Sequence, residues 1–246
     1  MTSTFASTVG QFKRNCSAAL QLADLDRGLI ERAIAEIQER DERLKKARVS
    51  NPLMLSGNTI KSLRNIRAND SLRSGFQALV DQTVVLLVSY FSSAVGQLFR
   101  LGVQSALRGT PSQHLQDLSM KLTVVEIARV GGDLVELADL VATTHGISFQ
   151  DTKSIQRSFN DFFGLELPRD SVTNDVGAGL AFRHVLVHNG GVVDRACTKQ
   201  LDSMVPRTFR MQTQLNESVH FATGEVEVLA NSMQTYVERI GSGLSH

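Results

Sequence analysis

Residues 82 to 99 (QTVVLLVSYFSSAVGQLF) carry no charge across eighteen positions, and any fold this chain adopts has to shelter that run. About eighteen residues is the shortest helix that spans a bilayer. Two Gln, three Ser, a Thr and a Gly interrupt the run, which is more polarity than hydrocarbon tolerates. The segment therefore reads as the central helix of a soluble bundle with no membrane contact, and the rest of the chain has to supply its neighbours.

Periodicity points to helices as those neighbours, so the expected class is an all-α helical bundle. Pro52, Pro111, Pro168 and Pro206 fall where the helical pattern breaks and divide the chain into five stretches. With 42% hydrophobic residues and no Trp, the core is built mainly from Leu, Val, Ile and Ala. A long N-terminal helix is expected over residues 27 to 48, with Ile30, Ile34, Ile37 and Leu44 on one face. Glu36–Arg40, Glu39–Arg43, Asp41–Lys45 and Glu42–Lys46 each place the acid four residues before the base, worth ~0.3 kcal/mol a pair. That helix marks residues 1–50 as an arm and residues 51–246 as the bundle. Further helices are expected from Ser71 to about Leu107, over 115 to 145 with a bend at Gly131-Gly132, and over 150 to 163, where Ile155, Phe159, Phe162 and Phe163 form a stripe. Ser171 starts another, over 172 to 189, with Val172, Val176, Leu180 and Val187 as core positions. Gly177 and Gly179 inside it cost up to ~1 kcal/mol each against Ala, which points to close approach of a neighbouring backbone. A last helix runs from Thr223 to about Ile240, with Leu229, Met233, Tyr236 and Ile240 inward. Residues 210 to 222 alternate unevenly, as a short β-hairpin or extended segment would.

Cys16 and Cys197 stand far apart in sequence and suggest buried thiols rather than a zinc cluster or a disulfide framework. Residues 1 to 7 lack the apolar run of a signal peptide, so a cytoplasmic location is expected. Net charge is only +1, yet residues 43 to 73 hold eight bases against Asp70 alone. Lys61, Arg64 and Arg67 in that stripe are candidate contacts to a phosphate backbone; a solvated helix end and loop explains them equally well. No Walker-type phosphate loop, nucleophile elbow or dinucleotide fingerprint occurs, and no cofactor is expected.

Chemistry concentrates in Arg183-His184-Val185-Leu186-Val187-His188-Asn189-Gly190-Gly191. On a helix, His184 and His188 share a face, whereas Arg183 lies about 140° from His188 around the axis. The glycines supply a left-handed stop. This string, Arg and His separated by four residues, with a polar residue after the Arg and Asn-Gly after the His, resembles the signature of the HEPN superfamily, in particular its RiboL-PSP-like branch. The resemblance covers roughly residues 70 to 240, with the tight match at 183 to 191. It implies an all-helical homodimer that cleaves RNA without a metal, as a toxin or phage-defence effector, restrained by an antitoxin or another regulatory partner. Carried over by position, Arg183 holds the phosphate and His188 acts as acid or base, with His184 in support and Asn189 a further donor to RNA.

The residue types suit that reaction. Histidine's ordinary pKa leaves both protonation states populated near neutrality, and arginine's planar cation grips phosphate oxygens. One helix holds Arg183 and His188 too far apart around its axis to enclose a phosphate, and the resemblance supplies the remedy of two motif helices facing each other. Other readings stand beside this one. An Arg and a His near a helix C-terminus also complement its dipole, His184 and His188 have the spacing of a zinc-binding helix but no third ligand in view, and a HEPN-like bundle can serve as a non-catalytic interaction module.

Overall fold

The computed structural model describes the chain except residues 1–3, 24, 48–52, 68–69, 110–122, 124, 126–129 and 246. Among the described residues the fold is all-α. Its helices are α1 (Phe5–Ala23), α2 (Leu25–Lys46), α3 (Leu53–Arg67), α4 (Asp70–Arg108), α5 (Leu134–Thr144), α6 (Thr152–Phe163), α7 (Ser171–His188), α8 (Arg195–Asp202) and α9 (Thr223–Gly243).

Helix α4 holds the uncharged run and stands at the centre, packed on α1, α5, α6, α7 and α9. Val84, Leu87, Phe91, Val95, Leu98 and Phe99 are fully buried along it, each contributing on the order of 2 kcal/mol of burial. Residues Gln77–Arg108 are long and apolar enough to cross a membrane, and half of their most apolar window is buried inside the protein. Phe91 bridges two neighbours: its ring centroid lies 6.4 Å from Phe12 of α1 and 5.7 Å from Tyr236 of α9.

The N-terminal arm of residues 1–50 divides. Helix α1 buries Thr8, Phe12, Cys16, Ala19 and Ala23 at helical spacing and belongs to the bundle core. Phe12 is the one large apolar side chain in that stripe, so the Ile and Leu spacing that marks α2 is absent from it. Helix α2 packs on α3. There Asp41 is buried and accepts from Ser56 Oγ at 2.5 Å instead of meeting Lys45. Glu39–Arg43 forms as expected, and Glu42 takes Lys45 rather than Lys46.

One helix lies outside the sequence expectations, and one expectation is narrowed. Helix α8 follows the motif, its Asp194 side chain accepting from Cys197 N as an N-cap and its Cys197 and Leu201 buried. Of the two alternatives for residues 210 to 222, the extended segment forms and the hairpin does not; Ser218 makes an isolated antiparallel bridge to Val192, with Val193 N donating to Glu217 O and Val219 N to Gly191 O. The uneven alternation comes from Phe209, Val219 and Phe221 turning into the core, where the first and last meet Phe182 of α7 at 5.8 and 5.4 Å. Residues 115–122, part of the helical stretch expected before Gly131, lie outside the described residues. Gly131 and Gly132 do take positive φ just ahead of α5.

Candidate functional site

The motif sits at the end of α7, whose two halves have opposite environments. Thr173 and residues 175 to 182 are buried. Asp175, 1% exposed, accepts from Thr208 N (2.7 Å), Thr208 Oγ1 (2.5 Å), Phe209 N (2.8 Å) and Ser232 Oγ (2.9 Å). A Cβ on Gly177 would lie 2.8 Å from Met204 Cε, and one on Gly179 would lie 2.6 Å from Leu229 Cδ1. The glycines thus admit neighbouring side chains, where sequence pointed to backbone. Asp81 on α4 pins the other end of the same loop, accepting from Phe221 N at 3.0 Å and facing His220 Nδ1 at 3.1 Å.

Beyond Phe182 the helix emerges on one face, while Val185 stays fully buried and Leu186 packs against the core. Arg183 is half-buried, His184 and His188 are exposed, and Val187, expected in the core, is 45% exposed. Asn189 caps the helix with its N–H on Val185 O, and Gly190 and Gly191 follow at φ 61° and 79°. The left-handed pair turns the chain back at once.

The separation expected between Arg183 and His188 does not hold at the level of side chains. Arg183 Nη1 reaches to 3.5 Å from His188 Nε2, the outer edge of hydrogen-bond range. The His184 and His188 rings lie 4.8 Å apart between centroids. About 140° separates the Cα positions, but a long flexible arginine crosses that arc. Guanidinium and imidazoles therefore converge within one chain. Among the described residues Arg183 makes no ion pair with an acid.

Other expected site residues fall elsewhere. Asn189 is half-buried, and its amide donates to Asp194 Oδ2 at 2.7 Å. That bond ties the end of α7 to the start of α8 and engages one of the two amide hydrogens of Asn189. The Cys197 N–H, then the Asn189 amide, the Ala196 N–H and the nearby His184, hold the Asp194 carboxyl below its ordinary range despite partial desolvation. Lys61 and Arg64 lie exposed on α3, whose main packing partner among the described residues is α2, not the motif helix α7. Arg67 ends α3, and its side chain lies outside the described residues. No group of three His, Cys, Asp or Glu side chains gathers as metal ligands among the described residues.

Sequence inspection missed the polar wall beside the motif. A cavity of about 210 Å³ is lined by Val88, Ser89 and Ser92 of α4, Gln150 of the loop before α6, and Leu180, Arg183 and His184 of α7. The serines had registered only as interruptions of an apolar run; their spacing of three was the available signal. Gln150 is placed by its neighbours. Its N–H donates to Ser148 Oγ at 3.2 Å, and Phe149 docks 5.7 Å from Phe99. Comparison of the chain with known protein families, curated proteins and solved structures finds no match.

Proposed function

We propose that this protein is a metal-independent endoribonuclease of the HEPN type, acting as a toxin or phage-defence effector. The observation that carries this reading is the convergence of Arg183 with His188 and His184 on an exposed helix end, with no described acid neutralising the arginine. A cation held in that way is an anion site. In the reaction, a ribose 2′-oxygen attacks the adjacent phosphorus as a base removes its proton, and the 5′-oxygen leaves as an acid protonates it. The products are a 2′,3′-cyclic phosphate and a 5′-hydroxyl. Arg183 holds the phosphate oxygens as charge builds on them, and His188 is the proton-transfer group, with His184 beside it.

A second copy of the chain completes the site in this reading. The reaction needs one group to accept a proton and another to donate one, and two His188 side chains divide the task. Val187 and Val192, 45% and 42% exposed beside the motif, supply apolar surface for that copy to cover. The same surface also favours the rival, a helical interaction module without catalysis. Incubating the purified protein with single-stranded RNA in excess EDTA separates the two. The nuclease yields cyclic-phosphate ends that Arg183→Ala and His188→Ala abolish, whereas equal cleavage by wild type and the double variant, or none under any condition that assembles the dimer, sinks it.

A further inference from the structure

We infer that the cavity between α4 and α7 is a subsite for one unpaired nucleotide of an RNA strand, its phosphate at Arg183 and its base edge toward Gln150 and Ser92. The identity of the strand as substrate rests on the proposed ribonuclease activity; the chemistry of the cavity stands apart from it. Its floor is apolar, because Val88 and Leu180 are buried with only 3% and 6% exposure. Its walls are polar and include one arginine, one histidine and no acid.

Each feature removes a class of occupant. An apolar ligand would strip water from the Arg183 guanidinium without replacing it, which is unfavourable. Inorganic phosphate would satisfy the guanidinium but leave the floor and the carboxamide unused. A nucleotide uses all three. Its phosphate meets the cation, its ring lies on Val88 and Leu180 with the His184 imidazole available for stacking, and its edge meets side chains able to read it. Among the described residues the Gln150 carboxamide and Ser92 hydroxyl make no side-chain hydrogen bond. Gln150 offers a donor and an acceptor in one plane, the pattern that pairs with a base edge. Ser89 already donates to Val85 O at 2.8 Å and keeps only acceptor capacity.

Access decides between paired and unpaired RNA. A base in a duplex is stacked and paired, so only an unpaired base can leave its strand to enter a recess of about 210 Å³ between two helices. The cavity shares His184 with the motif, and the His188 ring is the next one along α7. A nucleotide seated here therefore presents its phosphate beside the proton-transfer group and selects where the strand is cut.

The test uses the full chain and probes that cannot be cleaved. A single-stranded oligonucleotide with 2′-fluoro sugars, its duplex with a complementary strand, the four nucleoside 3′-monophosphates and inorganic phosphate are each titrated by calorimetry. The single strand is expected to bind about tenfold more tightly than the duplex, and Gln150→Ala to weaken it about tenfold, with Ser92→Ala acting in the same direction. Affinity for inorganic phosphate should be unchanged in both variants. Equal affinities of wild type and the two variants for the single strand, or equal affinity for single strand and duplex, overturn the subsite. A mononucleotide that binds as tightly as the oligonucleotide, and is equally sensitive to Gln150→Ala, overturns the strand as occupant in favour of a free nucleotide. The two proposals fail differently: Gln150-dependent binding without any RNA cleavage sinks the nuclease alone, and cleavage with unaltered site preference in Gln150→Ala sinks the subsite alone.

Discussion

The first and last turns of α7 belong to one continuous helix but answer to different constraints. Up to Phe182 nearly every residue is chosen by volume or by a buried hydrogen bond; Gly177 and Gly179 admit Met204 and Leu229, and Asp175 holds four donors. From Arg183 onward polar side chains face solvent, and nothing in the packing demands an arginine followed by two histidines. The contrast teaches where to look for function: the stretch that packing leaves unexplained is the stretch to which the proposed chemistry is assigned.

Breaking the outer half should have the largest effect on activity and little on folding. Arg183→Ala and His188→Ala are each expected to lower RNA cleavage by about 100-fold or more, measured as cyclic-phosphate ends released, with a melting temperature within a few degrees of wild type. Loss of the fold in either variant would erase the contrast between the two halves.

Breaking the inner half should do the reverse. Asp175→Ala leaves the Thr208 and Phe209 N–H groups and the Ser232 hydroxyl without their acceptor. It should cost roughly 3 kcal/mol in denaturant unfolding. Gly179→Val should cost about 1–3 kcal/mol by overpacking against Leu229. A nuclease rate that falls at a temperature where either variant is fully folded would show the halves to be coupled.

A smaller effect sharpens the boundary between them. Asp194 has its folded pKa depressed, chiefly by the Cys197 N–H. Its stabilising contribution is therefore present above the unfolded value, about 3.9, and disappears as pH falls through the lower folded value. The melting temperature of wild type should exceed that of Asp194→Asn at pH 6, and the gap should close below about pH 4. A gap that widens on acidification would contradict the assignment. Least of all should thiol chemistry matter. Burial pushes the Cys16 thiol up to about 12 and Cys197 to about 11, so iodoacetamide at pH 7.4 should label neither until the protein is denatured.

Sequence made the large features legible because they repeat. The run from 82 to 99, the stripe Ile155, Phe159, Phe162, Phe163 and the set Leu229, Met233, Tyr236, Ile240 each place apolar residues on a helical period, and most are buried, with Val85, Leu86, Tyr90 and Phe163 partly so. Helix α1 lacks a run of large aliphatic residues, Phe12 being the one large side chain in its buried stripe, and α8 is only eight residues long, too short for a repeat to show. At the candidate site the order of Arg183 and His188 was legible and their distance was not. Positions around a helix axis follow from arithmetic, whereas the reach of an arginine depends on which rotamer its neighbours allow. That Ser92 and Gln150 line one cavity was invisible because they are 58 residues apart and the loop of Gln150 is brought there by the docking of Phe149 on Phe99.

Among the described residues no carboxylate pairs with Arg183, and electroneutrality does not lapse on that account. The guanidinium draws its counterion from solution, so the site is always in exchange with whatever anions surround it. Phosphate, sulfate and free nucleotides then act as competitors of any strand that binds there, and the choice of buffer becomes part of the measurement. Binding should weaken as ionic strength rises, because a captured phosphate must first displace the ion already held.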